Sequence, residues 1–264
     1  MKSRPLLIAA VSCGAALLAF DVIKALRPTP VEHEEAFAEG IAEGKARMKR
    51  DILEGKLDSD QAEQVRERFF SDMDQSLGLL ADTELDEQKR FALIMQDFMA
   101  VIAERARVWH AGFARINNSE TLDFAALREE GAFARRREAI QAHETSTRAY
   151  LVVYDGLVDE LRGVLAPLGP SNDFARGAIK GMIEQRTKTN AAMHEVLAAH
   201  VRFSADLQAT LDYLELHFEA WEPIDGAIQF ETSEQVDGYR ALVDRLRQSQ
   251  TDLDTATRRL VELS

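Results

Sequence analysis

The sequence predicts an all-α fold: an elongated multi-helix bundle of long, antiparallel, heptad-patterned helices behind an N-terminal membrane helix. Three observations carry this expectation. Helix breakers are scarce, with six prolines and 14 glycines in 264 residues. Strong helix formers, above all Ala, Leu, Glu, Arg and Gln, are abundant. Two late stretches place apolar residues in alternating steps of four and three, the mark of long helices packed side by side. The chain divides into an anchor or signal over 1–27, a juxtamembrane helical linker over 28–57 and a bundle domain over 58–264. The last of these is long enough to bury a sizeable core.

The first element is an export segment. Lys2 and Arg4 lead into an apolar run from Pro5 to Phe20, and charge returns at Asp21, Lys24 and Arg27. A basic stretch followed by a hydrophobic one is what a translocation machinery reads. Leu6 to Phe20 is 15 residues and extension to Ile23 gives 18. That is the low edge of the ~17–25 residues that cross a bilayer as a helix. No pair of small residues in the A-x-A pattern lies just after the run, where Leu17-Leu18-Ala19-Phe20 stands. The one cysteine, Cys13, follows Ala10-Val11-Ser12 and looks like a loose lipobox, a possible lipidation site. Seven further residues, Gly14 to Phe20, continue the apolar run beyond it. Three fates stay open: uncleaved anchor, lipoprotein at Cys13, or cleaved signal peptide. The expectation taken is an uncleaved inner-membrane anchor with a cytoplasmic N-terminus and the body in the periplasm of a bacterial cell envelope, with a lipoprotein as the alternative. A single cysteine permits no internal disulfide, which fits a periplasm and a reducing compartment equally.

Charge excludes one class of partner. The formal net charge is −13, and the first 27 residues contribute +3, so the remainder carries −16. Such a body has no electrostatic footprint for nucleic acid, which demands clustered cations. It is also repelled by anionic lipid beyond its anchor. The local basic run Arg135-Arg136-Arg137 stands among Glu129, Glu130, Glu138 and Glu144, the pattern of a solvated, ion-paired helix face.

The remaining elements follow in order. Behind Arg27-Pro28-Thr29-Pro30, residues Phe37, Ile41, Met48 and Ile52 suggest the juxtamembrane helix, weakened by Gly40 and Gly44. Asp58-Ser59-Asp60 caps a helix to about Leu80, with Ala62, Val65, Phe69, Met73 and Leu80 on one face. Another runs from about Thr83 to Ile116 through Phe91, Met95, Phe98, Ile102 and Trp109, ended by Asn117-Asn118-Ser119. A fourth is expected from about Leu122 to Leu165, stopped by Ala166-Pro167-Leu168-Gly169-Pro170. Ser171-Asn172-Asp173 caps a fifth, reaching as far as Trp221 on the seam Met193, Leu197, His200, Ser204, Leu207, Leu211, Leu214, Phe218 and Trp221. Glu222 to Gly226 reads as a turn, and Ala227 to Phe230 as extended or irregular. The last helix repeats the heptad through Val236, Tyr239, Val243, Leu246, Gln250, Leu253, Thr257 and Leu260.

Catalytic and metal motifs are missing from the sequence. Bundle metal sites use Glu-x-x-His, but Pro30, Arg107, Ile140, Ala191, Leu197 and Leu214 stand three before the six histidines. His194-Glu195 does not continue to H-E-x-x-H, because position 198 is alanine. There is no GxGxxG, P-loop or G-x-S-x-G, and no haem-attachment motif. No metal, no cofactor and no enzymatic activity are expected. One constellation survives. If the fourth and fifth helices form a hairpin turning near Leu168-Gly169, residues whose numbers add to about 337 face each other. That sets Thr147 opposite Asn190, His143 opposite His194 and Arg137 opposite His200. His143, Thr147, Arg186, Asn190 and His194 then form a candidate small-molecule or anion pocket. The plainer alternative is a hydrogen-bonded layer fixing helix register, or a partly solvated groove.

The stretch Gly226 to Val243, with Ile228-Gln229-Phe230-Glu231-Thr232-Ser233-Glu234-Gln235 and then Tyr239, resembles the corresponding part of the YiaF-like family. These are bacterial proteins classed as lipoproteins and carrying a domain of unknown function. Asp86 to Phe91 matches more weakly. The resemblance implies an exported, membrane-attached helical domain and no particular activity. It departs at the anchor, where Cys13 is a poor lipobox. Phe230 followed by Thr232 or Ser233 also reads simply as a hydrophobic staple and helix cap. The functional expectation is a membrane-tethered structural or protein-interaction role, with a small-molecule or anion-binding module as the alternative. A hydrolase or transferase has only unpaired acidic residues in its favour. Partner identity and oligomeric state are open.

Overall fold

The computed structural model describes residues 59–81 and 86–263, and singly Ala46 and Arg50 in helical backbone. The expected anchor, Cys13, and the linker with Phe37, Ile41, Met48 and Ile52 lie outside the described residues, as do the side chains of Ala62, Val65, Phe69 and Leu80. The described chain is an all-α bundle of five helices with one small β-hairpin: α1 Ser59–Ala81, α2 Asp86–Ile116, α3 Ala132–Leu165, α4 Asp173–Leu216 and α5 Ser233–Leu263. No helix among the described residues is long and apolar enough to cross a membrane.

Each helix packs against its chain neighbours, and α2 also touches α4. The centre is therefore α2, α3 and α4, with α1 laid on α2 and α5 on α4. Paired contacts fix the antiparallel sense. Arg137 of α3 reaches Asp212 and Glu215 of α4, while Asp155 meets Arg186. Tyr213 Oη donates to the Gln235 carbonyl at 2.9 Å at one end of α4 and α5, and Arg259 pairs with Glu195 at 3.0 Å further along. At 44 residues, α4 is about 66 Å long at ~1.5 Å per residue, the spine along which both neighbours lie.

The heptad seams are the core. On α2, Phe91, Met95, Phe98, Ile102 and Trp109 are buried. On α4, Met193, Leu197, His200, Ser204, Leu207, Leu211 and Leu214 are buried in unbroken sequence. Leu246, Leu253, Thr257 and Leu260 of α5 meet them, while Val236, Tyr239, Val243 and Gln250 are half-buried. The expected cap of α4 is in place: Asn172 Oδ1 accepts from Ala175 N at 2.9 Å, satisfying one of the four free N–H groups of that helix start.

Two expectations are corrected and a third is refined. The segment after Leu122 is not continuous helix: a 3-10 turn spans Phe124–Arg128, and α3 begins at Ala132 behind Gly131, whose φ is 71°. The fifth helix does not reach Trp221 but stops at Leu216, giving way to a 3-10 turn Phe218–Ala220. The stretch beyond is a hairpin, β1 Trp221–Ile224 against β2 Ala227–Phe230, joined by Asp225 (φ 51°) and Gly226 (φ 75°). Two successive positive φ values make this the tight turn that Asp-Gly favours, matching the twist of the flanking strands. Trp221 still reaches the core, and its indole N–H donates to the Leu214 carbonyl at 2.8 Å.

Arg128 fastens the hairpin to the bundle. Its guanidinium lies 4.1 Å from the Phe218 ring centre and 4.5 Å from that of Trp221. It donates to the carbonyls of both residues. Both bonds leave the same Nη2, so it is the flat cation lying against two aromatic rings that favours arginine over lysine here.

The motif of the family resemblance has a local explanation. Thr232 N donates to Gln235 Oε1 at 3.2 Å and Gln235 N donates to Thr232 Oγ1 at 3.3 Å, a reciprocal capping box opening α5. Phe230 packs on the rings of Tyr213 and Tyr239.

Candidate functional site

The five residues grouped by sequence separate into two places. His143 and Thr147, on the buried face of α3, sit in the centre of the bundle. Arg186, Asn190 and His194 lie on the outer side of α4. The expected register is corrected as well: His143 meets His200 rather than His194, Arg137 meets Asp212 and Glu215 rather than His200, and Thr147 meets Trp109 rather than Asn190. At the histidine, α4 has slid six residues along α3, nearly two turns.

The inner half is a polar layer enclosed by aromatic rings. Trp109 Nε1–H of α2 donates to Thr147 Oγ1 at 3.1 Å, and that oxygen lies 3.4 Å from His143 Nε2. His200 Nδ1 lies 3.2 Å from the same nitrogen. Both imidazoles are fully buried. Trp109 stacks on Tyr150 at 4.3 Å, and Phe113 meets His200 nearly perpendicular at 4.6 Å. α2 approaches closely here because Gly112 is small: a Cβ at that position would come within 2.7 Å of Ser146 Oγ. Whichever ring donates in the His143–His200 contact, His143 Nδ1 and His200 Nε2 have no hydrogen-bond partner among the described residues.

Burial sets the charge state of this layer. Desolvation, with a smaller push from His110, lowers the His143 pKa to about 3. Desolvation also holds His200 well below the usual imidazole range, helped by His143 and His110. Both rings are therefore neutral at pH 7. The Tyr150 phenol is pushed far up by burial. Neutral imidazoles hydrogen-bonded to each other across two helices lock register. Among the described residues, no carboxylate is placed to activate either ring as a base.

The outer half is a closed ion-pair cluster. Arg186 lies over the Tyr154 ring at 4.6 Å. Its Nη1 donates to the Asp155 carbonyl at 2.9 Å, and its Nη2 donates to Asp155 Oδ1 at 3.3 Å and Asn190 Oδ1 at 3.1 Å. His194 Nε2 meets Asp155 Oδ1 at 3.1 Å. Asp155 occupies the place an anionic ligand would take, so such a ligand must displace a carboxylate of the protein itself. Sequence reasoning missed Asp155, Trp109 and the partnership of His200. His200 was legible, because it shares a heptad seam with Leu197 and Ser204.

The arginine run resolves into three separate roles. Arg135 pairs with Glu129 and donates to the Glu130 carbonyl. Arg136 is buried and donates to the carbonyls of Glu120 and Asp123. Arg137 holds Asp212 and Glu215, and Glu215 is in turn held below the usual carboxylate range by it.

Among the described residues no group of three or more His, Cys, Asp or Glu side chains is placed to hold a metal ion. No protein-family model, curated protein or solved structure matches this chain.

Proposed function

We propose that this chain is a membrane-tethered, extracytoplasmic helical protein of the bacterial cell envelope, with a structural or protein-interaction role and no enzymatic activity. The observation that carries the reading is the basic start and apolar run of residues 2–20, followed by a body of net charge −16. The bundle supports it indirectly. The Trp109–Thr147 and His143–His200 contacts bond across helices, Arg128, Arg136, Arg137 and Arg186 are engaged by the protein's own carboxylates and carbonyls, and the long antiparallel helices suit an element that spans distance. The resemblance of Ile228 to Gln235 to the YiaF-like family points the same way, although the capping box accounts for two of those residues without it.

Two measurements test this proposal. Protease added to spheroplasts should degrade the body while intact cells protect it; protection in both places the body in the cytoplasm and ends the reading. Crosslinking in intact membranes should then give one discrete heteromeric adduct. A chain that stays monomeric, with no adduct at any crosslinker length, contradicts an interaction role.

The ligand-binding alternative keeps only the outer cluster. If it holds, small carboxylates or phosphate raise the melting temperature of the wild-type protein and not of Arg186→Gln.

A further inference from the structure

Three helices meet at one buried layer made of titratable rings. His143 of α3 and His200 of α4 touch through Nε2 and Nδ1 at 3.2 Å. His110 of α2, also buried, acts on both rings electrostatically. We propose that the His143–His200 contact, flanked by His110, is an acid-released latch between α2, α3 and α4.

Proton count decides the sign of this contact. An N···N approach of this length is attractive only while one nitrogen carries a hydrogen and the other a bare lone pair. When both rings take up protons, every ring nitrogen is a donor, and the contact turns from hydrogen bond to repulsion between cations. The surroundings offer little relief. On α2 the titratable neighbour is His110, another imidazole and no counter-ion. On α3 the neighbours are Thr147, which accepts from the Trp109 indole, and Tyr150, a neutral phenol. On α4 the titratable group is His200. No carboxylate of any described helix, α1 and α5 included, acts on either imidazole. The rings of Trp109 and Phe113 offer aromatic contact but no counter-charge. A buried cation without a counter-ion is relieved by hydration, and hydration here requires the helices to part. The latch has something to sense where the body lies outside the cytoplasmic membrane and shares the pH of its surroundings; only this setting rests on the proposed location.

The contact suggests its own control. Glutamine mimics the Nε2 position and asparagine the Nδ1 position, so His143→Gln with His200→Asn keeps a hydrogen bond across the seam and removes the charge change. The full chain in detergent is stepped from pH 7.5 to 3.5 and followed by amide hydrogen exchange, corrected for its intrinsic pH dependence. Protection is expected to fail first over 105–113, 140–150 and 196–204, while 246–261 of α5 retains it. In the double variant the pH of that loss should drop by about one unit or more. Loss at the same pH in wild type and variant overturns the proposal, as does exchange that rises first in α5. If the double variant lacks helical circular dichroism at pH 7.5, the single His143→Gln variant is compared with wild type instead, and the same two results overturn the proposal.

Discussion

Replacing Arg128 should detach the hairpin and destabilise the whole bundle, and the size of the effect can be worked from its contacts. The guanidinium donates to two carbonyls, those of Phe218 and Trp221, and rests on both of their rings. A hydrogen bond from a charged donor is worth about 1.5–3 kcal/mol. Each aromatic face adds about 0.5–1 kcal/mol at a half-exposed position. Against this, Arg128→Ala returns up to about 2 kcal/mol of side-chain entropy, and the freed carbonyls find water. The balance is a loss of about 3 kcal/mol. Arg128→Lys should recover less than half, because an ammonium has no flat face to lay against two rings while its nitrogen reaches both carbonyls. Urea unfolding followed by far-UV circular dichroism measures the stability, and hydrogen exchange across 221–230 measures the detachment. A loss below about 0.5 kcal/mol for the alanine variant, or a lysine variant as stable as wild type, would refute the clamp.

Other contacts give sharper signs. Gly238→Ala places a Cβ 2.6 Å from Tyr213 Oη, so it should cost about 1–3 kcal/mol, and Tyr213→Phe should relieve much of that cost in a double-mutant cycle; additive effects would deny the contact. Thr147→Val strands the buried Trp109 indole N–H and should cost about 1–3 kcal/mol by urea unfolding, whereas Thr147→Ser should cost less; equal losses would mean packing, not the hydrogen bond, matters there. Stability should also fall in acid through His143. Its pKa drops from 6.5 unfolded to about 3 folded, so between those values the unfolded chain binds more protons. Stability is full above pH 6.5 and declines below it by up to about 1.4 kcal/mol per unit, or about 2 kcal/mol at pH 5 from this residue. A His143→Gln variant with the same pH slope as wild type would contradict this.

Much of the fold was legible because its signals are local. Asn172 caps α4, Pro167 and Gly169 stop α3, and the seam from Met193 to Leu214 is buried as its spacing foretold. The turn at Asp225-Gly226 was legible too, but the seam runs on in helical register through Phe218 to Trp221, and periodicity alone gives no reason to stop at Leu216. The site was harder for a geometric reason. Counting back from a turn fixes how far along two helices a pair lies, not which way each residue points. Thr189 is buried and Asn190, about 100° further around the same helix, is exposed. Register carried a second error: six residues along α4 separate His194 from His200, enough to exchange a surface histidine for a buried one.

The tether is the central claim, and the most direct measurement is the intact mass and N-terminal sequence of the mature protein recovered from fractionated cells. An uncleaved tether gives an unshortened chain that retains the apolar segment and sediments with the membrane through an alkaline wash, and a lipid tether gives a membrane-bound chain beginning at an acylated Cys13. A soluble protein beginning near Asp21 would contradict it.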